Sequence, residues 1–156
     1  MSTDNVMLQV ETLSKTYTSG SEEVHAVQEV SFSASAGEFL AIVGPSGSGK
    51  TTLLAMLGAL LTPSRGSIQI NNQRLEELSE KKRTHYRKKN VGYVFQANNL
   101  VPFLTAKENL LLISEIGGVK KKVARNRVDK LLEELGLLKR KNALATDLSG
   151  GERQRI

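Results

Sequence analysis

The sequence has no cysteine, which excludes disulfides, thiolate metal sites and a thiol nucleophile. It has no tryptophan, and aromatic residues are only 4% of its 156 residues, so Ile, Leu and Val must supply most of the core. No apolar run approaches the roughly 18 residues of a membrane helix. No signal-peptide pattern opens the sequence either, and the expected compartment is the cytoplasm. Internal repeats and low-complexity segments are also missing. His25 and His85 have no carboxylate or second histidine at ligand-like spacing, so neither reads as catalytic or metal-binding. Acidic residues are outnumbered, giving a net charge of +6. The basic clusters Lys81-Lys82-Arg83 with Arg87-Lys88-Lys89, and Lys120-Lys121-Lys122 with Arg125 and Arg127, lack interleaved aromatics on which bases could stack. They read as solvated helix faces, with an acidic partner surface or phospholipid headgroups as the other ligands such clusters fit.

What is present is ordinary for a globular domain: 39% hydrophobic and 24% charged residues, enough for one domain with a core. Alternation predicts a strand over 6–10 and a second strand or hairpin arm over Val24 to Phe32. Phe39 to Val43 is a continuous apolar run between Gly37 and Gly44, the pattern of a buried parallel strand. Lys50 to Leu61 predicts a helix with Leu53, Leu54, Leu57 and Leu61 as its stripe, broken by Thr62-Pro63-Ser64. A strand Ser67 to Ile70, a turn at Asn71-Asn72, a charged helix Leu75 to Lys89 and a strand Val91 to Phe95 follow. The last third reads as helical, Leu110 to Ile116 and Val119 to Leu135, parted by Gly117-Gly118. Val128, Leu131, Leu132 and Leu135 share one face.

Gly44-Pro45-Ser46-Gly47-Ser48-Gly49-Lys50-Thr51 fits G-x-x-x-x-G-K-[ST], between an apolar run and a helix. A triphosphate packs several negative charges together. Glycines let the backbone curl so that amides point inward as an anion nest, and the helix start adds its positive dipole end. Lys50 is placed to reach the β- and γ-phosphates, Thr51 to offer a hydroxyl to Mg²⁺, and Thr52 to add one near the α-phosphate. ATP with Mg²⁺ is the expected ligand.

Leu148-Ser149-Gly150-Gly151-Glu152-Arg153-Gln154-Arg155 is the second outlier. Ser149 and Glu152 have the spacing of a capping box, which leaves two adjacent glycines unexplained at a cost of about 1 kcal/mol each in a helix. Glycines there suit a backbone that something approaches closely, and an anion is the natural candidate.

GPSGSGKT followed by LSGGERQR resembles the nucleotide-binding subunit of an ABC transporter. The resemblance implies an α/β fold of the P-loop NTPase kind, with a mixed β subdomain, a RecA-like core and an α-helical subdomain. The β subdomain and phosphate-loop part would cover 1–96 and the helical part 97–156. It implies a head-to-tail pair of subunits in which Ser149, Gly150, Gly151 and Glu152 meet the ATP of the partner. Gln96 resembles the glutamine that touches Mg²⁺ and the attacking water and couples to a membrane permease; it is the catalytic candidate and, with Thr51, the metal candidate. Tyr17 resembles the aromatic that stacks on adenine, and Thr105 to Asn109 the T-x-x-E-N helix start, read as a capping box. Val24 to Val27, Gly37 to Phe39 and Val91 to Pro102 look most like the lipoprotein-release and macrolide-export subgroup, which implies a place on the cytoplasmic face of a bacterial inner membrane and no nucleic-acid partner. The other reading of the same motifs is an ABC-type ATPase acting on nucleic acid or ribosomes, or a catalytically dead regulator. In the family the signature leads to an apolar strand ending in Asp-Glu. No such segment occurs in residues 1–156, so the chain reads as C-terminally truncated and inactive in hydrolysis. It is expected to have an incomplete parallel sheet and a poorly soluble, oligomeric or strand-borrowing state.

Overall fold

The computed structural model describes residues 6–95 and 99–156, which fall into two units, Met1–Gly92 and Tyr93–Ile156.

In the first unit two long strands, β1 (Val6–Ser19) and β2 (Glu22–Ser35), form a hairpin. β3 (Arg65–Ile70) pairs with the other edge of β1, and β4 (Gln73–Arg74) closes the sheet in the order β2-β1-β3-β4, all antiparallel. Gly20, with φ +62°, serves the first turn. Asn71 and Asn72, at φ +48° and +62°, serve the second, where asparagine is among the residues that tolerate the left-handed region. The hairpin runs well past the predicted strands: Thr12, Thr16, Tyr17 and Thr18 are residue types that strands favour.

Two bulges kink it. Thr12 and Glu29 adopt φ +45° and +47°, and hydroxyls of the opposite strand catch their displaced amides: Thr12 N–H donates to Ser31 Oγ at 2.8 Å and Glu29 N–H to Ser14 Oγ at 2.9 Å. Gly66 of β3 sits against the first bulge. A Cβ there would stand 2.4 Å from the Glu11 carbonyl oxygen.

Helix α1 (Lys50–Leu57) sends Leu53 and Met56 into a core made with Val10, Leu13, Val27, Ala59, Ile68 and Leu75. It ends earlier than predicted. Ala59 turns left-handed at φ +55°, with Ala59 N–H on Met56 O and Leu60 N–H on Ala55 O, the paired bonds of a Schellman stop. The predicted stripe is corrected accordingly: Met56 is buried, while Leu54 is exposed. Helix α2 (Glu80–Asn90) starts later than predicted, because Leu75 enters the core with its N–H on Ile68 O and Ser79 supplies the cap.

The predicted strands Phe39 to Val43 and Val91 to Phe95 do not form. A parallel strand is held by hydrogen bonds to neighbours, and among the described residues none pairs with either. Phe39 and Val94 are 94% exposed and Val43 87%; only Ile42 packs on the core.

In the second unit α3 (Ala106–Ile116) and α4 (Lys121–Glu134) form an antiparallel pair broken at Gly117-Gly118, as predicted. α3 opens with the Thr105–Glu108 capping box. Val128, Leu132, Leu137, Leu148 and Ala106 make the core, and burying each leucine contributes about 1.5–3 kcal/mol. Buried Asn109 ties the preceding loop down: its Oδ1 accepts from Val101 N–H, and its Nδ2 donates to the carbonyls of Val101, Leu104 and Thr105. Lys107 donates to Asp129 at 2.7 Å, pinning α3 to α4 and holding that carboxyl below its usual range. Short helical turns at Leu138–Arg140 and Ala145–Asp147 lead to α5 (Gly150–Arg155).

Gly66→Ala forces a side chain into the bulge at φ +83° and is expected to destabilise the first unit by about 2 kcal/mol or more. Urea unfolding followed by circular dichroism checks this, and a midpoint unchanged from wild type contradicts the packing described.

Candidate functional site

The segment from Gly44 to Gly49 turns over the end of α1. Gly47 and Gly49 lie at φ +81° and +83°, conformations that glycine takes without strain. Gly49 has a second reason to be glycine: a Cβ would stand 2.0 Å from the Ala26 carbonyl oxygen of β2. At Gly44 a Cβ would meet Ser48 Oγ at 2.9 Å. The loop closes with Ser48 N–H on Pro45 O at 3.3 Å, and α1 begins with Leu53 N–H on Gly49 O at 2.8 Å. No side chain caps α1 and no acidic residue stands in its first turn, so among the described residues neither a capping group nor a first-turn carboxylate meets its N-terminal dipole charge.

Lys50 folds back over the loop. Its ammonium donates to Gly44 O at 2.9 Å, Pro45 O at 2.6 Å and Ser48 Oγ at 3.3 Å. An ammonium has three donors and no acceptor, so loop oxygens take the whole of its capacity, and an incoming phosphate oxygen substitutes for one of them. Thr51 is exposed and Thr52 half-buried on the first turn. A cleft of about 600 Å³ runs beside the loop, lined among others by Ala26, Gln28, Gly44, Gly47, Ser48 and Lys50.

Sequence reasoning missed the β2 wall of this cleft, His25 to Gln28. No local signal marks those residues; the approach of Gly49 to Ala26 and the packing of Leu53 with Val27 bring them in. His25 Nδ1 lies 3.1 Å from Thr16 Oγ1 and its Nε2 3.9 Å from Glu23. Among the described residues, no third acidic or histidine side chain joins them to make a metal cluster. Tyr17 does not line the cleft. It pairs with Val24 across the hairpin, 41% exposed, with the Lys15 ammonium 5.4 Å from its ring centroid. Gln96 lies outside the described residues.

In the second unit Ser149 caps α5 as its spacing predicts. Glu152 N–H donates to Ser149 Oγ at 3.2 Å, and Ser149 N–H to Glu152 Oε2 at 2.8 Å. Arg140 approaches the same carboxylate at 3.4 Å. The Ser149 amide, then its hydroxyl, then Arg140 and Arg155 hold Glu152 below the usual carboxylate range. Gly150 and Gly151 are exposed, outside the left-handed region, and a Cβ on either meets open space. Neither backbone strain nor internal packing calls for glycine at these positions.

The family description "ABC transporter" matches residues 27–156. The lipoprotein-releasing system ATP-binding protein LolD of Coxiella burnetii is 41% identical over 151 residues, covering 96% of this chain and 65% of its own. The putative hemin import ATP-binding protein HrtA of Staphylococcus haemolyticus is 38% identical over 149 residues, covering 96% and 67%. Among solved structures, the dimeric ATP-binding cassette MJ0796, in a post-hydrolysis state bound to ADP and Pi, superposes with a TM-score of 0.88 at 35% identity, over 96% of this chain and 66% of that one. The chain thus spans about two thirds of the length of the relatives it matches.

Because the Glu152 carboxyl is depressed in the folded chain, its contribution to α5 is present above the unfolded value and lost as pH falls through the folded one. Ser149→Ala removes the hydroxyl but keeps the amide donor. Glu152 is then expected to titrate at higher pH, part of the way back to an ordinary carboxylate, as read by carboxyl-carbon NMR.

Proposed function

The chain belongs to the ABC transporter ATP-binding family, and on that premise we propose that it binds ATP with Mg²⁺ as the nucleotide-binding subunit of an exporter of the lipoprotein-release or macrolide-export kind. The observation that carries this reading is the loop itself: a lysine ammonium held over a turn whose Gly49 admits no side chain, at an uncapped helix start. Main-chain amides and one mobile cation are what a polyphosphate tail requires.

The oxygen donors near the loop suit a hard cation that also takes phosphate oxygens. Thr51, exposed on the first turn of α1, would hold Mg²⁺ through its hydroxyl, with Gln96 as the second protein ligand and the group that positions water. When bound, Mg²⁺ neutralises charge on the phosphates. Tyr17 offers an exposed ring to adenine.

Ser149, Gly150, Gly151 and Glu152 contact the ATP of a second subunit in a head-to-tail pair. The support is the pair of glycines for which the chain's own packing gives no reason. No helix among the described residues is long and apolar enough to cross a membrane. A permease partner would hold the subunit at the cytoplasmic face of the inner membrane. Within residues 1–156 no four apolar residues run into two acidic ones, and nucleotide binding is the step proposed for this stretch.

Lys50→Ala deletes charge-assisted hydrogen bonds and is expected to weaken binding of a fluorescent ATP analogue by roughly 10- to 100-fold. An unchanged affinity removes the basis of the nucleotide assignment. The head-to-tail reading is tested separately, by light scattering on a polypeptide extended to the length of its relatives. Ser149→Arg there is expected to abolish ATP-dependent dimerisation while leaving ATP binding to each subunit intact.

A further inference from the structure

The turn between α3 and α4 combines two features that a merely solvated helix face does not. Lys120, Lys121, Lys122, Arg125 and Arg127 follow one another with no acidic residue between Glu115 and Asp129. Among the described residues none of the five forms an ion pair. Beside them stand aliphatic side chains in water: Ile113 67% exposed, Ile116 55%, Val119 36% and Val123 57%. Gly117 and Gly118 leave the turn itself without side chains, and a Cβ on Gly118 meets open space. Both apolar helix ends can therefore approach a flat surface.

We propose that this tip docks on an anionic phospholipid surface, the Lys and Arg heads on lipid phosphates and Ile116, Val119 and Val123 in the boundary beneath them. Interleaved basic and aliphatic residues at one helix end are what an anionic interface binds. Nucleic acid fits less well, because residues 113–128 contain no aromatic to stack on a base. A partner polypeptide also fits less well. The cleft at this end, lined by Leu111, Glu115, Val119, Lys121, Ala124 and Arg125, is only about 180 Å³, too small to seat a helix or a strand. The proposal rests on the second unit alone and is independent of the nucleotide assignment.

The test is sedimentation of the whole chain with phosphatidylcholine vesicles with and without phosphatidylglycerol. Binding is expected only to the anionic vesicles and is expected to weaken as salt rises. Replacing Lys120, Lys121 and Lys122 together by Gln should lower the partition coefficient by about fivefold per residue. The chain has no tryptophan, so Val123→Trp, and independently Ile116→Trp, places a single reporter at an exposed position. Its emission should move to the blue on anionic vesicles. Emission unmoved at both positions overturns the proposal, as does a triple variant that sediments like the parent, which would assign the binding to other exposed apolar residues such as Phe39 and Val94.

Discussion

Gly49 lies so near β2 that the smallest possible side chain would collide with the Ala26 carbonyl, and the first unit is organised around that approach. It seats the start of α1 directly on the sheet, which lets Leu53 and Met56 fill the space over Val10, Leu13 and Ile68. It aims the uncapped end of the helix along the cleft beside β2. It also fixes the turn from which Lys50 reaches back to Gly44 and Pro45. A helix start without a capping side chain ordinarily gives up stability. Here the same feature concentrates positive potential at the loop, and the lysine adds its charge at that point. The packing of the helix start and the proposed anion site are one arrangement.

The second unit uses one local device twice. Thr105 with Glu108 and Ser149 with Glu152 form the same reciprocal hydrogen bonds, and both carboxyls are held low chiefly by the backbone amide they accept from. At α3 the box is anchored further by Asn109 and by the pairing of Thr105 with Leu144, so that helix start belongs to the architecture. At α5 the two residues inside the box are glycines with nothing over them. The two caps are alike; what differs is their surroundings, packed at α3 and open at α5.

Much of this was legible in the sequence. The phosphate loop, the Asn71-Asn72 turn, the Gly117-Gly118 break and the face of α4 bearing Val128 and Leu132 all follow from local rules, and the family match agrees with the fold they imply. The failures share a cause. Phe39 to Val43 and Val91 to Phe95 have strand composition, yet strandedness is a property of pairs, and no described segment pairs with them. The stop at Ala59 rests on a left-handed alanine that no propensity scale favours. Leu75 looked helical by spacing and was claimed instead by the sheet's core. The β2 wall of the cleft was invisible because it is created by packing between residues far apart in sequence, Gly49 against Ala26 and Leu53 with Val27.

The serine hydroxyls at the two bulges carry a consequence for how the long hairpin assembles. Ser31 answers the amide of Thr12 and Ser14 that of Glu29, so each kink is completed by the opposite strand. A hairpin zipped out of step would leave both kinked amides without acceptors at once. The two hydroxyls thereby favour the native register of the hairpin over a shifted one.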